Sequence, residues 1–254
     1  MNLASQGGLP GTRPEGVTDE REAAARVREM FGRIAPRYDL LNHLLSLDID
    51  KIWRRRVAKR FAGILHDSSA RVLDLCCGTG DLAFAFRKQA PLGAAITGSD
   101  FVPEMLVRSR AKAAASSVNV EFVEADALAL PFADNSFDLV SCAFGFRNLA
   151  NYERGLQEIF RVLKPGGQAA ILEFAEPQCK LFGALYRFYF RHMLPRLGGL
   201  ISGNAEAYTY LPRSVSKFPV PEDLRLQFER AGFKKTGFER WTGGIVTLHR
   251  GGKS

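Results

Sequence analysis

Long apolar runs are missing from this chain of 254 residues. No stretch reaches the roughly 18 apolar residues that a membrane-spanning helix requires. The N-terminal residues also contain no apolar centre of the kind that a secretory signal needs. We therefore expect a cytoplasmic protein without a membrane span. Because 46% of the residues are hydrophobic, the chain is long and apolar enough to bury one full core.

Cysteine is scarce, with four residues in the whole chain. The spacing of Cys76, Cys77, Cys142 and Cys179 matches no metal site, so we expect no metal. Cys76 and Cys77 are adjacent on a predicted strand, where side chains face opposite sides and make a poor disulfide pair. We interpret the thiols as small buried side chains in a reducing compartment.

Acidic residues are absent from two segments of a chain whose net charge is +8. Residues 51–60 contain six cations, and residues 181–201 interleave arginines with aromatic side chains. Such basic segments favour nucleic acid, anionic lipid or an acidic ligand as the partner. A solvated helix face also explains the first segment, because Ile52, Trp53 and Val57 would form its buried stripe.

The spacing of apolar residues divides the chain into parts. We expect a disordered tail over residues 1–18, an N-terminal helical cap over 19–66, and a main domain over 67–254 with an insertion at about 177–218. In the main domain, short apolar strands alternate with helices, which is typical of a parallel sheet covered on both faces. The last two strands are predicted to form a hairpin around residues 243–244.

A glycine turn follows the first apolar strand of the main domain. Residues 72–83 read VLDLCCGTGDLA, in which Gly78, Thr79 and Gly80 open a GxGxxA pattern. Asp100 lies twenty residues after Gly80, at the end of the next predicted strand. Both NAD and S-adenosylmethionine sites use an acid at this place to bind ribose hydroxyls. The turn by itself leaves the two cofactors open.

Two further acids favour S-adenosylmethionine. Asp74, at the end of the first strand, would repel a pyrophosphate but suits a ligand with a sulfonium and an ammonium group. Asp126 follows the third strand and is placed to accept a hydrogen bond from an adenine amine. A helix cap explains any one of these acids taken alone.

The order of these elements resembles that of the class I S-adenosylmethionine-dependent methyltransferases. In both, the acids are followed by a strand, here FDLVSCAFGF, and by a turn, here RVLKPGG. The resemblance implies a Rossmann-like α/β fold, with a mostly parallel seven-stranded sheet whose last strand is antiparallel. The glycine turn is then expected to bind S-adenosylmethionine.

The fold does not choose the methyl acceptor. Enzymes that methylate amino groups of nucleic acids carry an (N/D)PP(Y/F) cluster after the fourth strand, where this chain reads SCAFGFRN. A cytosine ring-carbon methyltransferase would need a Pro-Cys nucleophile there, but Cys142 has no proline beside it. We therefore expect no nucleic-acid partner.

Four long segments are similar to the ubiquinone/menaquinone biosynthesis C-methyltransferase family. They are MFGRIAPRYDLLNHLLSLDIDKIWRR, FGFRNLANYERGLQEIFRVLKPGG, AYTYLPRSVSKFP and TGGIVTLHRG, and they occur in the order of the family's signatures. The resemblance implies cofactor contacts at Thr79, Asp100, Asp126 and Ala127. Some members have a serine contact where this chain has Ala143, so one hydroxyl contact is missing.

The resemblance also implies an activity. The expected reaction transfers a methyl group to a ring carbon of a prenylated quinol, with demethylmenaquinol as the main acceptor. A benzoquinol of ubiquinone biosynthesis is the alternative acceptor, because one pocket can accept either ring. Two rivals remain: methylation of another small aromatic or sterol-like molecule, and an RNA-binding protein with a vestigial cofactor pocket.

Methylation of a quinol carbon needs a deprotonated ring hydroxyl, a cation that stabilises the phenolate, and a dry pocket. Arg147 is expected to supply the cation, and Asn148 to orient a hydroxyl or a water. A structural brace is the alternative role of Arg147, because a buried arginine often ties a loop to a nearby acid. Asp39 and His43 are the acid–base candidates that we favour. The other histidines considered, His192 and His249, have ordinary structural explanations, and His249 falls on a predicted edge strand.

A prenylated acceptor lies in the membrane. The aromatic and basic residues 181–201 therefore favour weak, reversible contact with the inner membrane surface, although a buried helix explains the same pattern. The expected location is the cytoplasm, peripheral to that surface. A homodimer is compatible with the sequence.

Overall fold

The structure of the protein, a computed structural model, describes residues 11–12, 14, 16–17, 19–46, 48–177, 183 and 205–254. Cys179, His192 and nearly all of the predicted membrane segment 181–201 lie outside the described residues. The α-helices that the structure describes are α1 Glu20–Ile34, α2 Tyr38–Ser46, α3 Ile49–Arg60, α4 Ala62–His66, α5 Asp81–Gln89, α6 Pro103–Ala115, α7 Tyr152–Val162, α8 Ala205–Lys217 and α9 Pro221–Arg230. The strands are β1 Arg71–Leu75, β2 Ala95–Asp100, β3 Glu121–Glu124, β4 Phe137–Ala143, β5 Leu163–Phe174, β6 Lys234–Trp241 and β7 Val246–Gly252.

The seven strands form one sheet in the order β3-β2-β1-β4-β5-β7-β6. Strands β1 to β5 run parallel, and β7 runs antiparallel to both of its neighbours. This confirms the predicted mostly parallel sheet with an antiparallel last strand. The strand order reverses between β1 and β4, so the carboxyl ends of these two strands flank the crevice where sheets of this kind bind ligands.

Alternating residues of the central strands build two cores, one on each face of the sheet. Leu73 of β1 and Val140 of β4 belong to one apolar cluster, and their chain neighbours Val72 and Leu139 belong to the other. Side chains of a strand alternate between faces, so a run of consecutive apolar residues packs against the helices on both faces of the sheet. Such runs were the signal for a sheet covered on both sides.

Helices α1 to α4 precede the first strand. Helix α1 begins after Asp19, whose side chain accepts hydrogen bonds from the backbone N–H groups of Arg21 and Glu22. As predicted, the helical run is interrupted at Pro36, within a 3₁₀ turn over Ala35–Arg37. Among the described helices, none combines the length and the apolar character that crossing a bilayer needs.

The expected disorder of residues 1–18 is wrong for part of that segment. Thr12 and Val17 are buried, and the Thr12 N–H donates to the Leu149 carbonyl oxygen at 2.8 Å. Gly11 lies so close to Ala150 that a Cβ atom would overlap its backbone. The polar composition of the segment does not predict this burial, because the residues that it packs against, Leu149 and Ala150, lie in a distant part of the chain.

Three further details differ from the predictions. Ile52 is not part of the buried stripe of α3, since 55% of it is exposed. Strand β4 ends at Ala143 because Phe144 adopts a left-handed conformation, with φ at 62°. His249 does not lie on an edge strand, because β7 is enclosed by β5 and β6. His249 is therefore buried, between the rings of Phe228 and Phe238.

Candidate active site

A cavity opens at the carboxyl ends of β1, β2 and β4, with about 940 Å³ of empty space including its opening. Eight of the residues predicted to have a functional role line it together: Asp74, Gly78, Thr79, Asp100, Asp126, Ala127, Ala143 and Asn148. The other four, which do not line it, are Gly80, Asp39, His43 and Arg147.

The glycine turn connects β1 to α5 by way of left-handed residues. Gly78 and Gly80 have φ values of 54° and 89°, a region that glycine enters without strain. A Cβ atom on Gly80 would lie 2.9 Å from the Phe122 ring. Gly80 therefore serves the packing of the turn, whereas Gly78 and Thr79 form part of the cavity wall.

Asp100, the last residue of β2, holds the glycine turn from the neighbouring strand. Its carboxylate accepts hydrogen bonds from the backbone N–H groups of Gly78 at 2.8 Å and Val102 at 3.0 Å. Burial raises the pKa of Asp100 to about 6, against the effect of these donors. The residue thus places a buried carboxyl group on the cavity wall, where ligand hydroxyls can donate to its remaining lone pairs.

Asp74 is the most deeply buried acid of the cavity, with 1% of the residue exposed. Its carboxylate accepts hydrogen bonds from the Ala83 N–H at 3.0 Å and the Ser141 hydroxyl at 3.3 Å. Burial raises its pKa to about 7. Among the described residues no Lys or Arg forms an ion pair with Asp74, and the charge of Arg54 offsets burial only in part, so a cationic ligand would stabilise the charged form of Asp74.

Asp126 and Ala127 lie on a tight turn after β3. Asp126 is exposed, and its carboxylate accepts the Leu128 N–H at 2.8 Å. Ala127 and Leu128 are buried beside it. Together with Val102 and Met105, these residues make this end of the cavity apolar, with one acid at its rim.

Arg54 of α3 is a cavity residue that sequence reasoning missed. It is the one Lys or Arg on the cavity wall among the described residues, which also contribute four acids, Asp74, Asp81, Asp100 and Asp126. Its guanidinium pairs with Asp50 and lies 5.4 Å from the ring centre of Phe144. No local pattern indicated this, because helical spacing does not tell whether an arginine faces solvent or a cavity.

Asp39 and His43, the acid–base candidates, belong to a charge network behind the wall. Asp39 accepts hydrogen bonds from the Thr79 hydroxyl and from Lys112, the latter at 2.8 Å. Lys112 also lies 2.6 Å from Asp81, which His43 approaches to 3.8 Å. Burial opposes the ionisation of Asp81, but Arg54 and Lys112 overcome it and lower its pKa.

His43 also contacts Asp50, at 3.0 Å, and these two residues with Asp48 form the one group of potential metal ligands that we find among the described residues. Asp50 already pairs with Arg54 and accepts the Ser46 hydroxyl at 2.6 Å. Its oxygens are thus used within the protein, and the group is better described as part of the charge network.

Contrary to expectation, Arg147 does not line the cavity. It is buried, and its guanidinium lies 3.1 Å from the carboxylate of Glu173, a fully buried residue of β5. The same guanidinium donates to the Phe144 carbonyl oxygen. Burial opposes the charge of Arg147, but Glu173 more than compensates and raises its pKa. This placement braces the turn that follows β4.

Asn148 is the member of the Arg-Asn pair that lines the cavity. It ends the 3₁₀ turn Phe146–Asn148, and its side-chain oxygen accepts the Tyr210 hydroxyl at 3.0 Å. Tyr38, Phe144 and Ala143 lie on the same wall. The sequence did not single out Tyr38, Phe144 or Tyr210. Only the fold brings Tyr38 into the same cavity and Tyr210 into contact with Asn148.

Two thiols line the cavity, and their surroundings favour the protonated form. Cys76 and Cys77 line the cavity, and both are free, as is Cys142. A hydrogen bond with Cys142, together with burial, raises the pKa of Cys76, and burial raises that of Cys77. A protonated thiol is a poor nucleophile. Cys142 is buried as predicted, whereas Cys76 and Cys77 are only partly buried.

Solved structures similar to this chain share the same architecture. A SAM-dependent methyltransferase from Thermotoga maritima superposes with a TM-score of 0.61 and 19% identity, covering 89% of this chain and 99% of that one. A SAM-dependent methyltransferase from Aquifex aeolicus gives a TM-score of 0.57 and 20% identity, covering 78% and 88%. The fold is that of the class I methyltransferases.

Sequence comparison narrows this class. The family model of the ubiE/COQ5 methyltransferase family matches residues 17–253. A demethylmenaquinone methyltransferase from Deinococcus radiodurans is 52% identical over 93% of this chain and 96% of its own length. One from Thermus thermophilus is 52% identical over 87% and 99%. A ubiquinone/menaquinone biosynthesis C-methyltransferase from Geotalea daltonii is 44% identical over 91% and 98%. This chain belongs to the ubiE/COQ5 methyltransferase family.

Proposed function

We propose that this chain transfers a methyl group from S-adenosylmethionine to a ring carbon of demethylmenaquinol, a prenylated quinol. The observation that carries the proposal is the charge pattern of the cavity, which combines four acids with one buried arginine. Relatives 52% identical to this chain are named for the same acceptor. When bound, the cofactor supplies an electrophilic methyl group.

The methionine end of the cofactor carries two positive groups and a carboxylate. Asp74, buried without a cationic partner, suits a positive group, and Arg54 suits the carboxylate. A dinucleotide would instead place a pyrophosphate near Asp74, where the two negative charges repel each other. The pairing of one deep acid with one arginine therefore favours S-adenosylmethionine over NAD.

The nucleoside end fits the opposite part of the cavity. Asp100 presents its buried carboxylate at the end of β2, the place from which a ribose diol is bound in such sheets. Asp126 can accept from an adenine amine, and the apolar side chains of Val102, Met105 and Leu128 can cover the ring. Of the cofactor-binding residues predicted from the sequence, all except Gly80 line this cavity.

The acceptor end is assigned to the wall formed by Asn148, Tyr38 and Phe144. Asn148 offers an amide donor to a ring oxygen of the quinol, and the aromatic side chains exclude water from the ring. We assign Arg147 to a supporting role, because its guanidinium is engaged by Glu173. We assign Asp39 and His43 to holding Thr79 and Asp81 in place, since both residues lie behind the wall.

Mass spectrometry tests the proposal directly. The full chain is incubated with S-adenosylmethionine and reduced demethylmenaquinone, and the product should gain one methyl group. Asp74→Asn should abolish the product, whereas Asp138→Asn should retain it, because Asp138 lies at the amino end of β4 and pairs with Lys164. The absence of any methylated quinol under conditions where the cofactor binds would overturn the proposal.

The benzoquinol alternative is decided in the same experiment. Demethylated ubiquinone precursors serve as competing acceptors, because a relative 44% identical to this chain carries both quinones in its name. Preferential methylation of the naphthoquinol supports the proposal as stated. Equal methylation of both rings would extend it to ubiquinone biosynthesis.

Contact with a membrane is part of the same proposal, since the acceptor carries a prenyl tail. The support is the composition of residues 181–201, which are rich in aromatic and basic side chains and contain no acid. The homodimer compatible with the sequence stays a prediction, which sedimentation velocity would test.

A further inference from the structure

Tyr210 connects the C-terminal part of the chain to the acceptor end of the cavity. Its hydroxyl donates to the side-chain oxygen of Asn148 at 3.0 Å, although the two residues are 62 positions apart. Tyr210 lies on α8, and Asn148 follows β4. The contact therefore depends on the docking of α8 and is not a local feature of the turn.

This hydrogen bond determines which way the Asn148 amide faces. An asparagine side chain has one acceptor oxygen and one donor nitrogen, and the two can exchange places by rotation. Because the oxygen is used by Tyr210, the nitrogen Nδ2 is the atom left for other contacts. Among the described residues, Nδ2 has no hydrogen-bond partner, and Asn148 lines the cavity.

The surroundings of Tyr210 keep its hydroxyl a donor toward Asn148. Thr12 lies 3.4 Å from the Tyr210 oxygen and can donate to it, which leaves the Tyr210 proton for Asn148. Burial raises the pKa of Tyr210, so the hydroxyl keeps its proton at neutral pH. The Thr12 backbone is fixed in turn by its bond to Leu149.

The backbone beneath Asn148 is already rigid. Its N–H donates to the Gly145 carbonyl oxygen at 3.0 Å, and the preceding Arg147 is bound to Glu173. The remaining freedom is the rotation of the Asn148 side chain. A rotated amide would present its oxygen, instead of Nδ2, to an acceptor ring oxygen that becomes negative during the reaction, and the two would repel each other.

We propose that Tyr210 is a positioning residue for methyl transfer, holding the Asn148 amide so that Nδ2 donates to a ring oxygen of the quinol. This inference rests on the proposed function. Tyr210 does not touch the acceptor in this role, and acts through Asn148. The proposal assigns the C-terminal helix α8 a part in aligning the acceptor, beyond its part in the core.

Kinetics of single and double variants test the proposal. Tyr210→Phe removes only the hydroxyl and should lower kcat about tenfold, as expected for one lost hydrogen bond in a buried site, with little change in cofactor affinity. Asn148→Ala should lower kcat further. Adding Tyr210→Phe to Asn148→Ala should then have no additional effect, because the group that Tyr210 positions is gone.

Ser214→Ala is the matched control. Ser214 is a buried residue of the same helix, and its hydroxyl donates to the Leu211 carbonyl oxygen at 3.0 Å. Its removal costs α8 one buried hydrogen bond without touching Asn148. An equal fall in kcat for Ser214→Ala and Tyr210→Phe, or additive losses in the double variant, would overturn the positioning role.

A spectroscopic measurement separates this inference from the proposed function. The side-chain amide of Asn148 is observed by NMR in protein labelled with ¹⁵N-asparagine and is assigned by its loss in Asn148→Asp. Tyr210→Phe should shift these resonances, and Ser214→Ala should not. Unchanged resonances would overturn the proposal even in an active enzyme. If the wild-type protein binds the cofactor but methylates no quinol, the proposed function fails, and a shifted resonance still supports the role of Tyr210 in holding the amide.

Discussion

The backbone N–H of Gly78 donates to the carboxylate of Asp100 at 2.8 Å. The bond joins the turn after β1 to the end of β2, so that the acid expected to bind a ligand also holds the loop expected to surround that ligand. A substitution of Asp100 is therefore expected to disturb both ligand binding and the conformation of the turn.

Asp100→Ala should weaken S-adenosylmethionine binding roughly tenfold to several hundredfold, because charge-assisted hydrogen bonds to the ribose are lost. The variant should also unfold at a lower temperature, since the N–H groups of Gly78 and Val102 lose their acceptor. Calorimetric titration measures the affinity, with Asp138→Ala as the control acid remote from the cavity. Unchanged affinity would contradict the assignment of Asp100.

Cofactor binding should weaken as the pH falls below about 7, the pKa to which burial raises Asp74. A protonated Asp74 is neutral and no longer attracts a cation, so affinity should fall by up to about tenfold per pH unit. Calorimetry in buffers of different ionisation enthalpy should also detect proton release on binding at pH 7. In Asp74→Asn the weakening between pH 7 and 6 and most of the proton release at pH 7 should disappear, whereas the weakening below about pH 6, the pKa of Asp100, should remain. Persistence of the effects near pH 7 would assign them to another group.

Arg147→Met should lower the free energy of unfolding by about 3–5 kcal/mol, because it leaves the buried carboxylate of Glu173 without its cation. Arg147→Met combined with Glu173→Gln should recover part of this loss, since the uncompensated charge is then removed. Urea denaturation gives both values. A stable Arg147→Met protein with low turnover would instead return Arg147 to the catalytic role expected from the sequence.

His249 should make the protein sensitive to acid. Burial, with a smaller effect of Arg240, lowers its pKa from 6.5 to about 3, so the folded protein keeps it neutral while the unfolded chain protonates it. Its contribution to stability is present above pH 6.5 and is lost as the pH falls toward 3, by at most about 1.4 kcal/mol per pH unit. Buried Asp74 acts in the opposite direction, so the measured quantity is the difference between wild type and His249→Phe. That difference should shrink in acid, and a difference independent of pH would exclude the effect.

The purified protein should sediment with anionic liposomes, less at high salt, and hardly at all with neutral liposomes. Each cation of residues 181–201 near the lipid should add about 1 kcal/mol. Replacing Arg187 and Arg191 by Glu should abolish sedimentation and slow the methylation of long-tailed quinols, with little effect on short-tailed analogues. The double reversal of Arg154 and Lys235, exposed residues elsewhere, is the matched control. Equal effects of the two double variants would remove the membrane assignment.

Much of the cofactor half of the site was predictable from the sequence. Asp74, the next to last residue of β1, and Asp100, the last residue of β2, lie on neighbouring strands, and the carboxyl ends of parallel strands meet at one edge. Residues that follow such strands therefore converge whatever the details of packing. The same reasoning explains why the glycine turn could be assigned from a short pattern, since its strand, its turn and its helix are consecutive.

The acceptor half depended on contacts between distant parts of the chain. Arg147 and Asn148 are adjacent, but the fold turns one toward Glu173 and the other toward the cavity. Spacing predicts which residues share a face of a regular helix or strand, and it gives no such rule for a short 3₁₀ turn. A brace role for Arg147 could be considered from the sequence, but its partner, the buried Glu173, was identified only by the packing of β5 beside it.

The sequence by itself determined the alternation of strands and helices, the family signatures and the acids at the strand ends, because these are set by residues close together in the chain. Tertiary structure alone decided the burial of Thr12, the place of Arg54 on the cavity wall and the bond between Tyr210 and Asn148. Each of these unites segments far apart in the chain, and such pairings follow from how the layers pack around the sheet rather than from local patterns.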